Sequence, residues 1–204
     1  MRLEARLKKL ILASSFYVYH GLSPDIDANE ATPLDMARMN LFGAQKVMAE
    51  CLVREYAARS DKRLKYVILR FGSAYGRANG SNVIAEFVNA AVRGAPIEVW
   101  GGGARTNQFT FVLDIVEGCV KALRSEGRVF NLVSPEETTY AAVAATLSAR
   151  FDVAVSYRDA PEALPFPYVS SRRAMRELGW QTTSLEQGLN LLVHQAERAE
   201  TAVP

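Results

Sequence analysis

Cysteine and histidine are scarce in this chain, two of each in 204 residues. Cys51 and Cys119 fall in helix-like apolar patterns, which points to buried thiols in a reducing compartment rather than a disulfide framework. His20 and His194 have no ligand spacing, so no metal site is expected. No apolar run reaches the length of a membrane span. Excess charge is missing too: 24 basic and 22 acidic residues leave a formal charge of +2. That is too little to argue for nucleic acid or an acidic membrane as partner. The basic stretch Met1 to Lys9 is not followed by a long apolar segment and a cleavage site, so no signal peptide is expected and the cytoplasm is the default location.

What remains is an ordinary globular composition, 49% hydrophobic and 23% charged. The length suits one domain, or one domain with a lobe. Leu3 to Lys9 reads as the end of a helix. Leu10-Ile11-Leu12-Ala13 is a buried parallel strand, continued by Ser14 to Tyr19. Thr32-Pro33 offers a helix start, with the helix running to about Ser60. Tyr66 to Leu69 is a second strand, and Val83 to Arg93 a helix stopped by Gly94. Ile97 to Trp100 is a short strand before Gly101-Gly102-Gly103, Phe109 to Val112 another, and Asp114 to Arg124 a helix. Arg128 to Leu132 is a third strand for the main sheet. Thr138 to Arg150 is helical, Val153 to Tyr157 a strand, and Ser170 to Leu178 a short helix closed by Gly179. Ser184 with Gln187 forms a capping box for the last helix. Strands alternate with helices, so the class is α/β.

Six segments in order resemble one family, the extended short-chain dehydrogenase/reductases, that is, the NAD-dependent epimerase/dehydratase family. The segment Leu10 to His20 is similar to a strand ending in Ser-Ser-x-x-Val-Tyr-Gly. Asn40 to Lys46 is similar to the active-site helix with its Tyr-x-x-x-Lys. Leu69 to Gly76 resembles Leu-Arg-x-x-Asn-x-Tyr-Gly, and Ile97 to Asp114 resembles Gly-Asp-Gly-x-x-x-Arg-Asp-Phe-x-x-Val-x-Asp. Val129 to Leu132, and Glu177 to Trp180 with the helix start after it, complete the series. The resemblance implies a partial Rossmann-like parallel sheet with a small C-terminal α+β substrate lobe. Residues 1–76 are the remnant of the Rossmann half with the catalytic helix. Residues 77–204 are mainly the lobe, with 115–135 returning to the sheet.

The departures are as informative as the matches. The family's tyrosine, its proton donor or acceptor, is Phe42 here, while its lysine is present as Lys46. The family opens with a Gly-x-x-Gly-x-x-Gly turn that holds the cofactor pyrophosphate at a helix N-terminus, and this sequence has no such turn. The expected shortfall is roughly one hundred residues, about one βαβαβ half. The strand at Leu10 would then be an unpaired apolar edge. The family's asparagine is Ser73, its diphosphate arginine falls at Asn107 with Arg105 two residues away, and Pro161 to Pro167 contains no arginine.

By this resemblance Ser15 is the catalytic serine, Lys46 the ribose-binding and pKa-lowering lysine, and Ser14 a cofactor-side residue. Ser73, Val83, Arg105 and Asn107 are substrate-side residues. Phe42 is inert at the tyrosine position, and Tyr17, two residues after Ser15 on one face of an extended strand, is a substitute phenol. Each has a plainer reading: a loop serine, a solvated lysine, a core phenyl ring, a packed tyrosine, an exposed loop arginine. The implied cofactor is NAD or NADP, with binding by this chain alone doubtful. The implied partners are a nucleotide-sugar-like small molecule and either an N-terminal half or a second copy. The alternative to an epimerase, dehydratase or reductase is a non-catalytic binding or assembly module.

Overall fold

The structure, a computed structural model, describes residues 7–59, 64–76, 82–160 and 166–201. Three parallel strands, β1 (Lys9–Ser15), β3 (Lys65–Phe71) and β8 (Arg128–Leu132), form the main sheet in the order β1-β3-β8. The two-residue strand β2 is Asp27–Ala28. Helix α1 (Leu41–Arg59) lies on one face of the sheet, where Glu50 reaches Ser14 and Arg70. Helices α3 (Val112–Ala122) and α5 (Arg172–Leu178) cover the other face. There Ile11, Val67, Leu69, Phe130 and Leu132 pack with Ala122, Ala174 and Trp180. Alternation along β3 explains the division, since Val67 and Leu69 point opposite to Arg70.

The lobe is built from β4 (Ser73–Tyr75), α2 (Val83–Val92), β5 (Ile97–Trp100), β6 (Thr106–Asn107), β7 (Phe109–Phe111), β9 (Thr138–Thr139), α4 (Tyr140–Phe151), β10 (Val155–Arg158) and α6 (Leu185–Thr201). Its strands pair β5 with β10 and β4 with β7 in parallel, and β6 with β9 antiparallel. Strand β11 (Tyr168–Val169) pairs with β2 beside the main sheet. The lobe core joins Phe87 and Val88 of α2, Leu147 of α4, and Leu189 and Val193 of α6 around Ile97, Phe109 and Phe111. Asp114, buried at the start of α3, ties the last segment in place. Its carboxylate accepts from the Thr183 backbone N–H and hydroxyl, and its carbonyl accepts from the Trp180 indole.

Several expectations change. The Thr32-Pro33 helix start is not used. Thr32 instead closes a turn with Asn29, and an Asp35 side-chain oxygen takes the Ala37 and Arg38 N–H groups. The helix begins at Leu41, where the Asn40 side chain accepts from the Gly43 N–H at 2.8 Å, an N-cap that Thr32 was expected to supply. The first strand stops at Ser15, and Phe16–Tyr19 coil into a 3-10 turn whose cap is the Ser15 hydroxyl, accepting from Tyr17 N–H. Ser15 and Tyr17 therefore do not share a strand face. Of the expected N-terminal helix, residues 3–6 lie outside the described residues, and Lys9 is already strand. Cys51 is exposed rather than buried, while Cys119 is half-buried, with burial raising its thiol pKa. The Ser184–Gln187 capping box forms as expected, with both reciprocal hydrogen bonds at 3.3 Å. Among the described residues β1 pairs with β3 alone, so its other edge is open. None of the described helices is long and apolar enough to cross a membrane.

Candidate functional site

The C-terminal ends of β1 and β3 meet the lobe, the position at which open α/β sheets place ligands. The 3-10 turn after β1 brings Phe16 and Tyr17 to this meeting point. Helix α1 packs against that turn because residue 43 is glycine, where a Cβ would run into the Tyr17 carbonyl oxygen. This close approach sets Phe42 against Tyr17, their rings edge-to-face at 5.5 Å. Lys46, one turn along α1, donates to the Ala13 carbonyl at 3.0 Å and stands 5.5 Å from the centre of the Phe42 ring. Serine, lysine and phenyl ring are thus gathered at the tip of β1. No hydrogen bond involves the Tyr17 hydroxyl among the described residues.

Beneath the tip lies a buried polar network that the sequence reading missed. Glu50, one turn beyond Lys46 and facing inward, receives Arg70 Nε at 2.9 Å and Nη2 at 2.8 Å, and the Ser14 hydroxyl at 2.7 Å. Arg70 Nη1 donates to the Tyr19 hydroxyl at 2.7 Å, which donates to Asn131 at 2.9 Å. Burial alone would raise the Glu50 carboxyl, but the hydrogen bonds and charge of Arg70, with Ser14 and Arg54, hold it below its ordinary value. Burial would lower Arg70, yet Glu50 and Tyr19 keep its guanidinium firmly charged. Burial raises the Tyr19 phenol, and Arg70 and Asn131 only partly oppose this. Ser14 therefore donates its hydroxyl hydrogen to Glu50 and is part of this buried network. The signal that could have found the network is an acid at helical spacing on the apolar stripe of α1, with Arg70 inside an otherwise apolar strand.

On the lobe side, a cleft is lined by Phe16, Tyr17, Arg105, Thr106, Asn107, Gln108, Glu137, Phe166 and Pro167. Asn107 donates both amide hydrogens, to Ser73 Oγ at 3.1 Å and to the Tyr140 hydroxyl at 3.0 Å, while its carbonyl accepts from the Gln108 N–H. Arg105 lays its guanidinium over the Tyr140 ring, 5.6 Å from the centroid. Gln108 is buried, holding the Ser134 carbonyl and both backbone groups of Val169. Val83, the first residue of α2, packs against the lobe core. The structure brings Tyr17, Arg105 and Asn107 into one cleft, with Ser73 bonded to Asn107. Of the expected arginine-free stretch, residues 161–165 lie outside the described residues. Tyr140, Glu137 and Phe166 escaped the sequence reading because no local motif marks them. Among the described residues no cluster of His, Cys, Asp or Glu could hold a metal ion.

The NAD dependent epimerase/dehydratase family matches residues 1–152. The chain belongs to this family. Relatives include UDP-glucuronic acid decarboxylase 2 of Arabidopsis thaliana, 31% identical over 156 residues, covering 72% of this chain and 35% of that protein. A probable UDP-glucuronate 4-epimerase of Rhizobium meliloti is 31% identical over 133 residues, covering 65% of this chain and 38% of the relative. The UDP-glucose 4-epimerase of Thermotoga maritima, solved with UDP-glucose, superposes with a TM-score of 0.85 at 23% identity, over 98% of this chain and 66% of that one. MoeE5, solved with UDP-glucose and NAD, gives a TM-score of 0.83 at 25% identity, over 98% of this chain and 68% of its own. The chain spans little more than a third of the first two relatives. The Rossmann-like epimerase/dehydratase fold and kinship with NAD-dependent nucleotide-sugar epimerases and decarboxylases follow.

The residues described here do not fit the dinucleotide's pyrophosphate. Such a group needs a glycine turn opening onto a helix N-terminus. The only glycine run, 101–103, joins β5 to β6 with positive φ at Gly101 and Gly103, and opens no helix.

Proposed function

We propose that this chain is the catalytic-helix and substrate-lobe part of an NAD(P)-dependent nucleotide-sugar enzyme of the epimerase, dehydratase or decarboxylase kind. The observation that carries this reading is that Lys46 and the Phe42–Tyr17 ring pair adjoin the end of β1 at Ser15, and that Tyr17 also lines a polar cleft of the lobe. The division at residue 76, with 1–76 bearing the catalytic helix and 77–204 mainly the lobe, belongs to the same reading. So does a cytosolic location, which the unpaired Cys51 and Cys119 favour.

In this reading the cleft takes the sugar nucleotide, with Ser73 and Val83 on the lobe side. Ser15 hydrogen-bonds a sugar hydroxyl. Lys46, fixed by the Ala13 carbonyl, places positive charge beside that hydroxyl. Phe42 has no proton to exchange and contributes shape. The Tyr17 phenol, edge-on to Phe42 and with no hydrogen bond to its hydroxyl among the described residues, holds the exchangeable proton in its place. NAD or NADP belongs to the complete enzyme, with its pyrophosphate held outside the residues described here.

The substitution Phe42 for tyrosine specifically favours a second reading, a binding module that keeps the cleft without the chemistry. Titration of the chain with a UDP-sugar by calorimetry tests the shared premise: saturable binding in the cleft is expected, and none up to millimolar concentration would sink both readings. Turnover by the chain joined to a dinucleotide-binding half, lost in Tyr17→Phe, separates enzyme from module. Unchanged turnover in that variant rules out Tyr17 as the proton carrier.

A further inference from the structure

The buried network beneath the tip of β1 has one consistent way to share its protons. Arg70 can only donate, and it gives Nε and Nη2 to Glu50 and Nη1 to the Tyr19 hydroxyl. The Tyr19 hydrogen then goes to Asn131 Oδ1, at 2.9 Å. That fixes the Asn131 amide, whose Nδ2 donates to the Ser170 carbonyl at 2.9 Å. Val169, next to Ser170, is held at both backbone groups by Gln108. Its N–H donates to Oε1 at 2.7 Å, and its carbonyl accepts from Nε2 at 3.0 Å. Tyr19, Arg70, Gln108, Asn131 and Ser170 are all buried. This path runs between two walls of the cleft, which Phe16 and Tyr17 line from the sheet side and Gln108 from the lobe side. Phe16 and Tyr17 belong to the 3-10 turn Phe16–Tyr19, so the Tyr19 side chain anchors the end of that turn. Helix α1 holds the strand just before it, through Lys46 on the Ala13 carbonyl and Glu50 on Ser14.

We propose that Tyr19 is a positioning residue: its hydroxyl, shared between Arg70 and Asn131, sets the register of the Phe16–Tyr17 wall against the Gln108 wall. Hydrogen bonds in a buried chain polarise one another, and removing a middle member leaves a buried donor on one side and a buried acceptor on the other unpaired. Tyr19 touches no ligand in this assignment. It acts through the placement of Tyr17 relative to the lobe. The proposal deepens the nucleotide-sugar reading above and rests on it for the ligand.

The experiment compares the 204-residue chain with Tyr19→Phe, which keeps the ring that lies 5.1 Å from the Arg70 guanidinium and removes only the hydroxyl. The control is Ser148→Ala, which removes a hydroxyl bonded to the Val153 carbonyl in the lobe, outside the network. With denaturant bringing the variants to equal global stability, hydrogen exchange by NMR reads the N–H groups of Tyr17 and Val169, one beside each wall, bonded to Ser15 Oγ and Gln108 Oε1. Tyr19→Phe should exchange both about tenfold faster than Ser148→Ala does. Calorimetry should show Tyr19→Phe binding UDP-glucose about fivefold or more weakly than Ser148→Ala. Asn131→Ala breaks the path one bond further on and should speed Val169 as much, which keeps the test open if Tyr19→Phe does not fold. Equal exchange in Tyr19→Phe and the control overturns the proposal, since the hydroxyl would then contribute stability alone. Faster exchange at Tyr17 with Val169 unchanged overturns it too, because the path would end within the sheet. So does a Tyr19→Phe chain that binds UDP-glucose as tightly as a binding-competent wild type. A wild type that does not bind UDP-glucose removes the nucleotide-sugar reading, and the exchange rates then decide the proposal by themselves.

Discussion

At position 42 the proposed site carries a phenyl ring where the resemblance expects a phenol, with Lys46 beside it. Lys46 stands 5.5 Å from the Phe42 ring centre. A phenol introduced by Phe42→Tyr should therefore titrate below the ordinary tyrosine value of about 10, because the ammonium favours its anion. NMR of ring-labelled tyrosine reads this without any cofactor. Lys46→Met in the same background should return the phenol toward its ordinary value. A phenol that titrates normally with Lys46 present would show that the ammonium does not act on this position. Glu50 offers a second test. It is 1% exposed and its partner Arg70 3%, so Glu50→Gln leaves a buried guanidinium without its counter-charge, at a cost of about 3 kcal/mol or more. The Glu50 carboxyl is held below its unfolded value, so its contribution is complete above the ordinary glutamate range, about 4.3, and disappears as pH falls through the lower folded pKa. The melting-temperature gap between wild type and Glu50→Gln should be widest near neutrality and narrow progressively below about pH 4. A gap that holds constant into acid contradicts the pairing.

Among the elements, β1 carries the most exposed risk. Its outer edge has no partner among the described residues, and its apolar Leu10 to Leu12 are only half-buried. Two helix stripes flank the same sheet. On α3, Leu113, Val116 and Val120 recur at helical spacing and are 52–60% exposed, and on α1 Leu41, Met48 and Leu52 are more exposed still. Open edges and large apolar patches pair or aggregate. The isolated chain should self-associate in sedimentation velocity, and Val116→Glu combined with Val120→Glu should lower the association. A monodisperse monomer at 100 μM, on the order of 2 mg/mL by mass, would mean the edge is covered. Sequence showed these elements well where pattern is local: β1, β3 and β8 follow apolar runs, and the Ser184 cap follows its spacing. It misjudged Thr32-Pro33, because an N-cap signal is decided by which backbone N–H groups the fold leaves free, and Asn29 had already claimed Thr32. It missed the Glu50–Arg70–Tyr19–Asn131 network for a related reason. Those residues lie far apart in sequence, and only the assembled sheet brings them within hydrogen-bond reach.

At the scale of the molecule, the sheet and the lobe meet at a polar cleft, and no glycine turn opens onto a helix N-terminus among the described residues. Calorimetry with NAD and with NADP should show no binding tighter than millimolar for this chain, and a low-micromolar dissociation constant would overturn that expectation. The clamp on Asp114 bears on how the chain reaches this state. The family match ends at residue 152, yet Trp180 and Thr183 are what occupy the Asp114 carbonyl and carboxylate. During synthesis the sheet strands and α3 leave the ribosome long before those partners do. The nascent chain therefore carries an acid destined for burial with nothing yet to receive, and a lobe core still lacking Leu189 and Val193. The Asp114 clamp and the lobe core therefore close only when the tail is available, and a chain cut short near residue 152 lacks both.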